Sequence, residues 1–264
     1  MHIDGVTVCL DYSDFLAETL PLNIRQCDRF VVVTAPEDLA TQRVCDFYNV
    51  DVVLTDVFQS RWGECHKAKG INAGLDWLAA DAGFAGWVLH LDADIVLAPR
   101  TKTLLDHANL PKDVLHGADR VSVPNAQAWA AFKALPVSQH DGYHVSLEPF
   151  KVMPRFNAWH LGGYAPPGYF QLWHPHTTGV TRYPDEHSNG DKTDVLHCAQ
   201  WERARRALLP EVYVYHLESE PAEQGTNWGG RVTKRFGAEP SHPESRRHRH
   251  QPHHHHHHRP YERG

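Results

Sequence analysis

Long apolar runs are missing from this chain of 264 residues: none approaches the roughly 20 residues that a membrane-spanning helix needs. A charged start leading into an apolar stretch is missing as well, which predicts a soluble, cytoplasmic protein without membrane insertion. Cysteine is sparse. Cys9, Cys27, Cys45, Cys65 and Cys198 are odd in number and lack paired spacing, so reduced, core-filling thiols are expected rather than a disulfide framework. An excess of positive charge is absent too. The formal net charge of -6 removes any general attraction for nucleic acid or anionic membrane, so that contact with a polyanion has to be local. With 41% hydrophobic residues the chain is not a disordered one; it can bury the core of one domain, or of one domain with a small appendage.

What is there is an alternation of apolar runs and helical patterns. VTVCL (6–10) precedes DYSD, where Ser13 or Asp14 can cap a helix starting near Phe15. RFVVVT (29–34) repeats the pattern, and Pro36 opens a segment whose Leu39, Val44 and Phe47 suit one helical face. VDVVLT (50–55) is a third run, with a helix predicted over 66–80, and WVLHLDADIVL (87–97) is a fourth strand. Strands alternating with helices predict an α/β domain with a mostly parallel sheet, and in such sheets ligands bind beyond the carboxyl ends of the strands. That rule puts Asp11, Thr34, Asp56, Asp92 and Asp94 along one rim.

Asp92 and Asp94 stand where an apolar run is leaving the sheet. Two hard oxygen donors one residue apart can hold magnesium or manganese, whose remaining ligands are typically water and substrate phosphate; the same pair can also simply solvate a turn. One element upstream, HKAKGINAGL (66–75) offers Lys67 and Lys69 to balance phosphate charge, while Asn72 with Gly70 and Gly74 permits close backbone approach. An ordinary amphipathic helix with a solvated lysine pair fits these residues too.

Further on, ADRVSVP (118–124) reads as a strand and 127–135 as a helix. The stretch 136–184 is rich in proline, glycine, histidine and aromatics, with GYFQLWH (168–174) its clearest strand. Tyr164, Tyr169, Phe170, Trp173 and Trp159 suit either an aromatic core or a stacking platform for a sugar or base. GDKTDVLHCAQWERARRALL (190–209) reads as one capped helix, in which Asp191 or Asp194 either caps free amides or serves as a mild base of low pKa. VYVYHLE (212–218) is a strand whose His216 is a structural residue or a metal ligand, and NWGGR (227–231) follows it.

In their order, KAKGINAGL, LDADIVL, GDKTDVLHCAQW, VYVYHLE and NWGGR resemble the GT-A glycosyltransferases, and among them the family 2-like enzymes of phage and bacterial genomes. The similarity covers about 6–236. It implies a GT-A domain over 1–236, with a nucleotide-sugar half (1–123) and an acceptor and catalytic half (124–236), placed in the host cytoplasm if the chain is phage-encoded. It also implies Asp94 on Mn2+ or Mg2+, Asp92 on the metal or a ribose, and His216 as a late metal ligand. Asp194 matches the family's base; Thr193 departs from the expected acidic pair and leaves Asp191 as a competitor. Asp11, Thr34, Asp56, Lys67, Lys69, Asn72 and Arg231 join Asp92 as expected donor contacts, and Tyr169, Trp173 and Trp228 are the expected acceptor contacts.

The implied reaction is inverting transfer of a sugar from a nucleotide sugar, a UDP-sugar, to the hydroxyl of a glycan, small molecule, protein or hydroxymethylated phage DNA base. Metal and Lys67 or Arg231 would neutralise the departing diphosphate while Asp194 takes the acceptor's proton. HLDADIV also fits a haloacid-dehalogenase-like phosphatase with Asp92 as nucleophile, although about three strand-helix units precede it here. A non-catalytic module binding carbohydrate or nucleic acid is the third class. The His- and Arg-rich tail (237–264) cannot pack a core and is expected to be disordered; its histidine run suits a tag remnant or a native metal- or phosphate-touching tail.

Overall fold

Strands built from continuous apolar runs need partners on both sides and cover on both faces, and the sheet of this protein is assembled that way. The structure, a computed structural model, describes residues 1–58, 66–140, 150–158, 161–186, 192–221 and 230–237. Its first half runs β1 (Ile3–Val8), α1 (Ser13–Asn23), β2 (Arg29–Thr34), α2 (Leu39–Phe47), β3 (Asp51–Leu54), α3 (Lys67–Ala79), β4 (Trp87–His90), β5 (Ile95–Leu97), α4 (Thr101–His107) and β6 (Leu115–Val123). The second half adds α5 (Ala126–Lys133), β7 (Lys151–Val152), β8 (Asn157–Ala158), β9 (Gly163–Tyr164), β10 (Gln171–Trp173), α6 (Pro175–Thr178), α7 (Thr193–Cys198) and β11 (Arg206–Leu217). The order across the sheet is β3-β2-β1-β4-β10-β6-β11-β5, with β7 on β6; β8 and β9 pair separately. The expected mixed α/β, mostly parallel architecture is present, and both halves of the chain contribute strands to the one sheet.

Direction decides where the site can be. β1, β2, β3 and β4 are mutually parallel. β10 runs antiparallel to both β4 and β6, so β6 points the same way as β4, and β11 is parallel to β6. Six carboxyl ends therefore share one edge. Helix α3 reaches that edge because Gly74 lets it lie directly on the sheet: a Cβ there would come within 2.6 Å of Val6 and 2.8 Å of Val33.

Several expectations are corrected. The run 87–97 is two strands, since β5 leaves the line of β4 and pairs antiparallel with β11 at the far side of the sheet. The helix expected over 190–209 ends at Cys198; Arg206, Ala207, Leu208 and Leu209 extend instead in register with Leu115, His116, Gly117 and Ala118. The Arg206 guanidinium fixes that switch by donating to the carbonyls of Tyr164, Trp201 and Leu161. Neither Ser13 nor Asp14 caps α1, whose N-cap residue is Tyr12. In α2, capped by the Asp38 carboxylate, the inward residues are Thr41 and Cys45, while Leu39 and Phe47 are 57% and 79% exposed. Among the described residues no helix is long and apolar enough to cross a membrane. The tail from residue 238 lies outside the described residues.

Candidate active site

The segment leaving β4 is held from three directions. Leu91 donates its amide to the Val6 carbonyl and its own carbonyl accepts from the Thr7 hydroxyl at 2.6 Å. From α1, Thr19 donates to the Ala93 carbonyl at 2.8 Å, and Asn23 brackets β5 by donating to the Ile95 carbonyl and accepting from the Leu97 amide. The Leu217 amide of β11 donates to the Asp94 carbonyl at 2.9 Å. These bonds present Asp92 and Asp94 at the carboxyl edge as half-buried side chains.

The two aspartates then meet different partners. Lys67, at the start of α3, donates to Asp92 Oδ1 at 2.6 Å. Burial alone would lower the Lys67 ammonium, but Asp92, followed by Asp194 and Asp94, outweighs it and holds the group above its ordinary value. Burial works to raise Asp92 and is likewise overcome by Lys67, so its carboxyl sits below the usual range. Asp94 faces His216 of β11, with Oδ2 2.9 Å from Nε2. Against the depressing effect of burial, Asp94 raises the His216 imidazole. Behind the ring, Nδ1 is 3.5 Å from Glu218 Oε1, an ion-pair distance without hydrogen-bond geometry, and Ser122 donates to Glu218 Oε2 at 2.5 Å.

Among the described residues no group of three or more His, Cys, Asp or Glu side chains could enclose a metal ion. Two protein ligands are nonetheless enough where a substrate diphosphate and water complete the shell, as magnesium and manganese allow. Asp94 and His216 fit that role: a carboxylate and an imidazole already face each other, with a second carboxylate 3.5 Å behind the imidazole. Glu218 and Ser122 join the site only through the fold. The sequence signal for Glu218 is its place as the second residue after His216 in the same alternating stretch, whereas Ser122 comes from the neighbouring strand.

Asp194, on α7, comes within electrostatic reach of Lys67 and Asp92. It is not the helix cap; Lys192 holds that position and makes no side-chain cap bond. Nor is its pKa low. Burial raises it, Lys67 pulls the other way, and Asp92 adds to the rise, so the carboxyl ends above its ordinary value. One of its oxygens, Oδ1, is enclosed without a hydrogen-bond partner among the described residues. Gly168 makes room for it, since a Cβ at that position would lie 2.2 Å from Oδ1. Asp191, the rival base, lies outside the described residues, as do Trp159 and Trp228.

Other expected contacts are spread more widely. Asp11, in the left-handed region at φ 53°, pairs with Arg235 at 2.6 Å, and its amide donates to Asp38 Oδ2. Buried Thr34 donates to that same oxygen at 3.1 Å, so Asp38 ties the ends of β1 and β2 together. Asp56 is exposed on the rim beyond β3, and Lys69 faces solvent while Lys67 faces the cleft. Asn72 is committed elsewhere: it accepts from the Tyr183 amide at 2.7 Å and donates to the Tyr183 carbonyl and to Asp185. All five N–H donors of Arg231 are engaged as well, by Asp14, the Asp11 carbonyl and the carbonyls of Thr233 and Lys234. That guanidinium pins the segment 230–237 over α1 and has no donor left for a diphosphate. Tyr169 and Trp173 are core residues; their polar atoms donate to the Ala118 and Val180 carbonyls, which leaves no face for an acceptor.

Beneath Asp92 and Asp194 lies a buried aromatic and histidine cluster. His197 stacks on Tyr183 with centroids 3.6 Å apart and meets Trp173 edge-on at 4.7 Å, while His90 meets Tyr183 edge-on at 5.6 Å. Because Asn72 holds the Tyr183 backbone, α3 sets the position of α7 through this stack. Burial, with Lys67 adding to it, lowers His90 to about 3, and burial drives His197 well below the ordinary value. The sign is that of a depressed base: the unfolded chain takes up protons below about pH 6.5 while the native state refuses them, so stability is full above that pH and falls beneath it. Each histidine contributes a slope on the order of 1.4 kcal/mol per pH unit in that window. The urea midpoint is expected to drop between about pH 7 and about pH 5, and His197→Phe to flatten the drop. A midpoint constant across that range would rule out neutral burial of the pair.

No family model and no curated protein matches the chain. Solved structures do. Glucosyl-3-phosphoglycerate synthase from Mycobacterium tuberculosis, in complex with Mn2+ and UDP-glucose, is similar over 80% of this chain and 70% of its own, with 14% identity and a TM-score of 0.41. Mannosyl-3-phosphoglycerate synthase from Rubrobacter xylanophilus is similar over 84% and 68%, with 15% identity and a TM-score of 0.40. A putative glucose-1-phosphate thymidylyltransferase from Bacillus anthracis is similar over 80% and 88%, with 9% identity and a TM-score of 0.44. Likeness at this level assigns neither a family nor an activity to the chain.

Proposed function

We propose that the chain is a divalent-metal-dependent glycosyltransferase of GT-A type, moving a sugar from a nucleotide sugar, a UDP-sugar, to an acceptor hydroxyl. The observation that carries this reading is the convergence, at one carboxyl edge, of the Asp94–His216 pair, the Lys67–Asp92 pair and the enclosed Asp194. Asp94 and His216 would hold Mn2+ or Mg2+, which when bound supplies charge neutralisation to a departing diphosphate. Lys67 adds a fixed positive charge to the same region, and Asp92, turned by Lys67 through Oδ1, keeps Oδ2 to accept a ribose hydroxyl.

Asp194 takes the proton. As the acceptor oxygen bonds to the anomeric carbon, the bond from that carbon to the diphosphate oxygen breaks, the nucleoside diphosphate leaves and the acceptor proton moves to Asp194. A carboxyl raised above its ordinary value is better matched to that uptake near neutral pH than the low-pKa base expected from a helix cap. A single base opposite the leaving group implies inversion at the anomeric carbon. The acceptor classes consistent with this chemistry are a glycan, a small molecule, a protein or a hydroxymethylated DNA base.

Incubation with a panel of nucleotide sugars and Mn2+ tests the reading. Release of nucleoside diphosphate that stops on chelation is the expected result. Inorganic phosphate released from phosphomonoesters would instead identify a phosphatase using Asp92, and binding without turnover a non-catalytic module.

A further inference from the structure

Arg120 belongs to no motif, yet it is the one half-buried residue of β6 in a strand whose other eight positions are buried. In the register with β11, Ser122 lies beside His216 and Arg120 beside Val214, so Arg120 and Ser122 share their face of the sheet with His216. The Arg120 guanidinium lies over the ring of Tyr169, with Cζ 5.0 Å from the centroid. That ring cannot turn away, because its hydroxyl donates to the Ala118 carbonyl at 3.0 Å.

Among the described residues the guanidinium donates to no acceptor. Nε is enclosed without a hydrogen-bond partner, and among the described residues no carboxylate pairs with Arg120. The adjacent Asp119 is taken by Arg155 at 2.9 Å. Arg29, Arg182, Arg205, Arg231 and Arg235 all have carboxylate partners, and Arg206 has three carbonyls. A guanidinium stays charged at any accessible pH, and leaving its Nε–H enclosed and unpaired is unfavourable unless a ligand supplies an oxygen.

Its position narrows what that ligand is. Arg120 is within electrostatic reach of His216, and the Tyr169 ring beneath it is within reach of both Arg120 and Asp194. A diphosphate at Asp94 and His216 would already meet a divalent ion and Lys67. We propose that Arg120 binds an anionic group, a carboxylate or phosphate, of the acceptor, anchoring it so that its hydroxyl meets Asp194. This rests on the transfer reading for the role of the ligand, while the anion site itself stands on the unpaired guanidinium.

The test is titration of inorganic phosphate into the protein saturated with UDP and Mn2+, for the parent, Arg120→Gln and Arg120→Lys, with thermal melts to confirm folding. Phosphate should bind the parent and weaken by about tenfold or more in Arg120→Gln, with Arg120→Lys intermediate and UDP affinity unchanged within about twofold. If UDP affinity falls instead and phosphate binding does not, the oxyanion is the donor's diphosphate and the acceptor assignment is overturned. Equal phosphate binding in all three proteins, or none in the parent, overturns the site. Should the parent fail to bind UDP in Mn2+, the transfer reading fails, and the phosphate titration without nucleotide still decides whether Arg120 is an anion site.

Discussion

Asp94→Ala is expected to abolish manganese-dependent binding of a UDP-sugar, a loss of about 100-fold or more in affinity, while the protein still melts cooperatively. Asp94 is half-buried at the cleft and its side chain supports no backbone bond; what β11 grips is its carbonyl, which alanine keeps. Removal leaves His216 Nε2 without its partner, a cost of about 1–3 kcal/mol that the fold can absorb. His216→Ala should weaken the metal in the same way from the other side. The pair also fixes a pH trend. Asp94 raises the imidazole, and the proton and the metal compete for the same Nε2, so metal affinity should climb as pH rises through the histidine range. Calorimetric titration of UDP with and without Mn2+ measures all of this. Unchanged affinity in Asp94→Ala would sink the metal assignment, and a His216→Ala protein that binds metal like the parent but melts far lower would make His216 a structural residue.

The framework of the fold was readable because long apolar runs bounded by polar loops admit few alternatives. β2 spans the very residues that the pattern predicts, and α3 ends within one residue of its predicted bounds on either side. Failures came where the local pattern is the same for two answers. An apolar run interrupted by Asp92 and Asp94 looks alike whether one strand continues or a second begins, and only the pairing of β5 with β11 separates them. The stretch 206–209 has a helical composition, but sheet register and the carbonyls gathered by Arg206 override it. For the site, the residues that carry charge to the cleft were visible as motifs, namely Asp92, Asp94, Lys67, Asp194 and His216. What each does with that charge was not, since it depends on neighbours far away in sequence. Arg231 and Asn72 look available until their partners are counted, and Asp194 looks like a cap until Lys67, Asp92 and Gly168 surround it.

Asp194→Asn should lower sugar transfer by roughly two to four orders of magnitude with donor affinity retained, because the amide keeps the shape and loses only the ability to take up a proton. Stability provides an independent check with a sign of its own. The native state holds this carboxyl above its ordinary value, so at neutral pH its ionised form is disfavoured by folding; an amide carries no such penalty. The variant is therefore expected to melt at or above the parent at about pH 7, as at sites where function and stability conflict. Gly168→Ala offers a second approach to the same atoms. Its methyl would lie 2.2 Å from Asp194 Oδ1, so the carboxylate has to move, and transfer should fall while UDP binding at Asp94 and His216 persists. Asp191→Asn should cost far less, since the transfer reading gives the acceptor's proton to Asp194. Product formation, donor affinity and melting temperature measured on the three variants decide among the mechanisms. A dead Asp191→Asn beside an active Asp194→Asn moves the base to Asp191; activity in both removes the single-base inverting mechanism; and an Asp194→Asn protein that melts well below the parent shows that the carboxylate supports the fold rather than straining it.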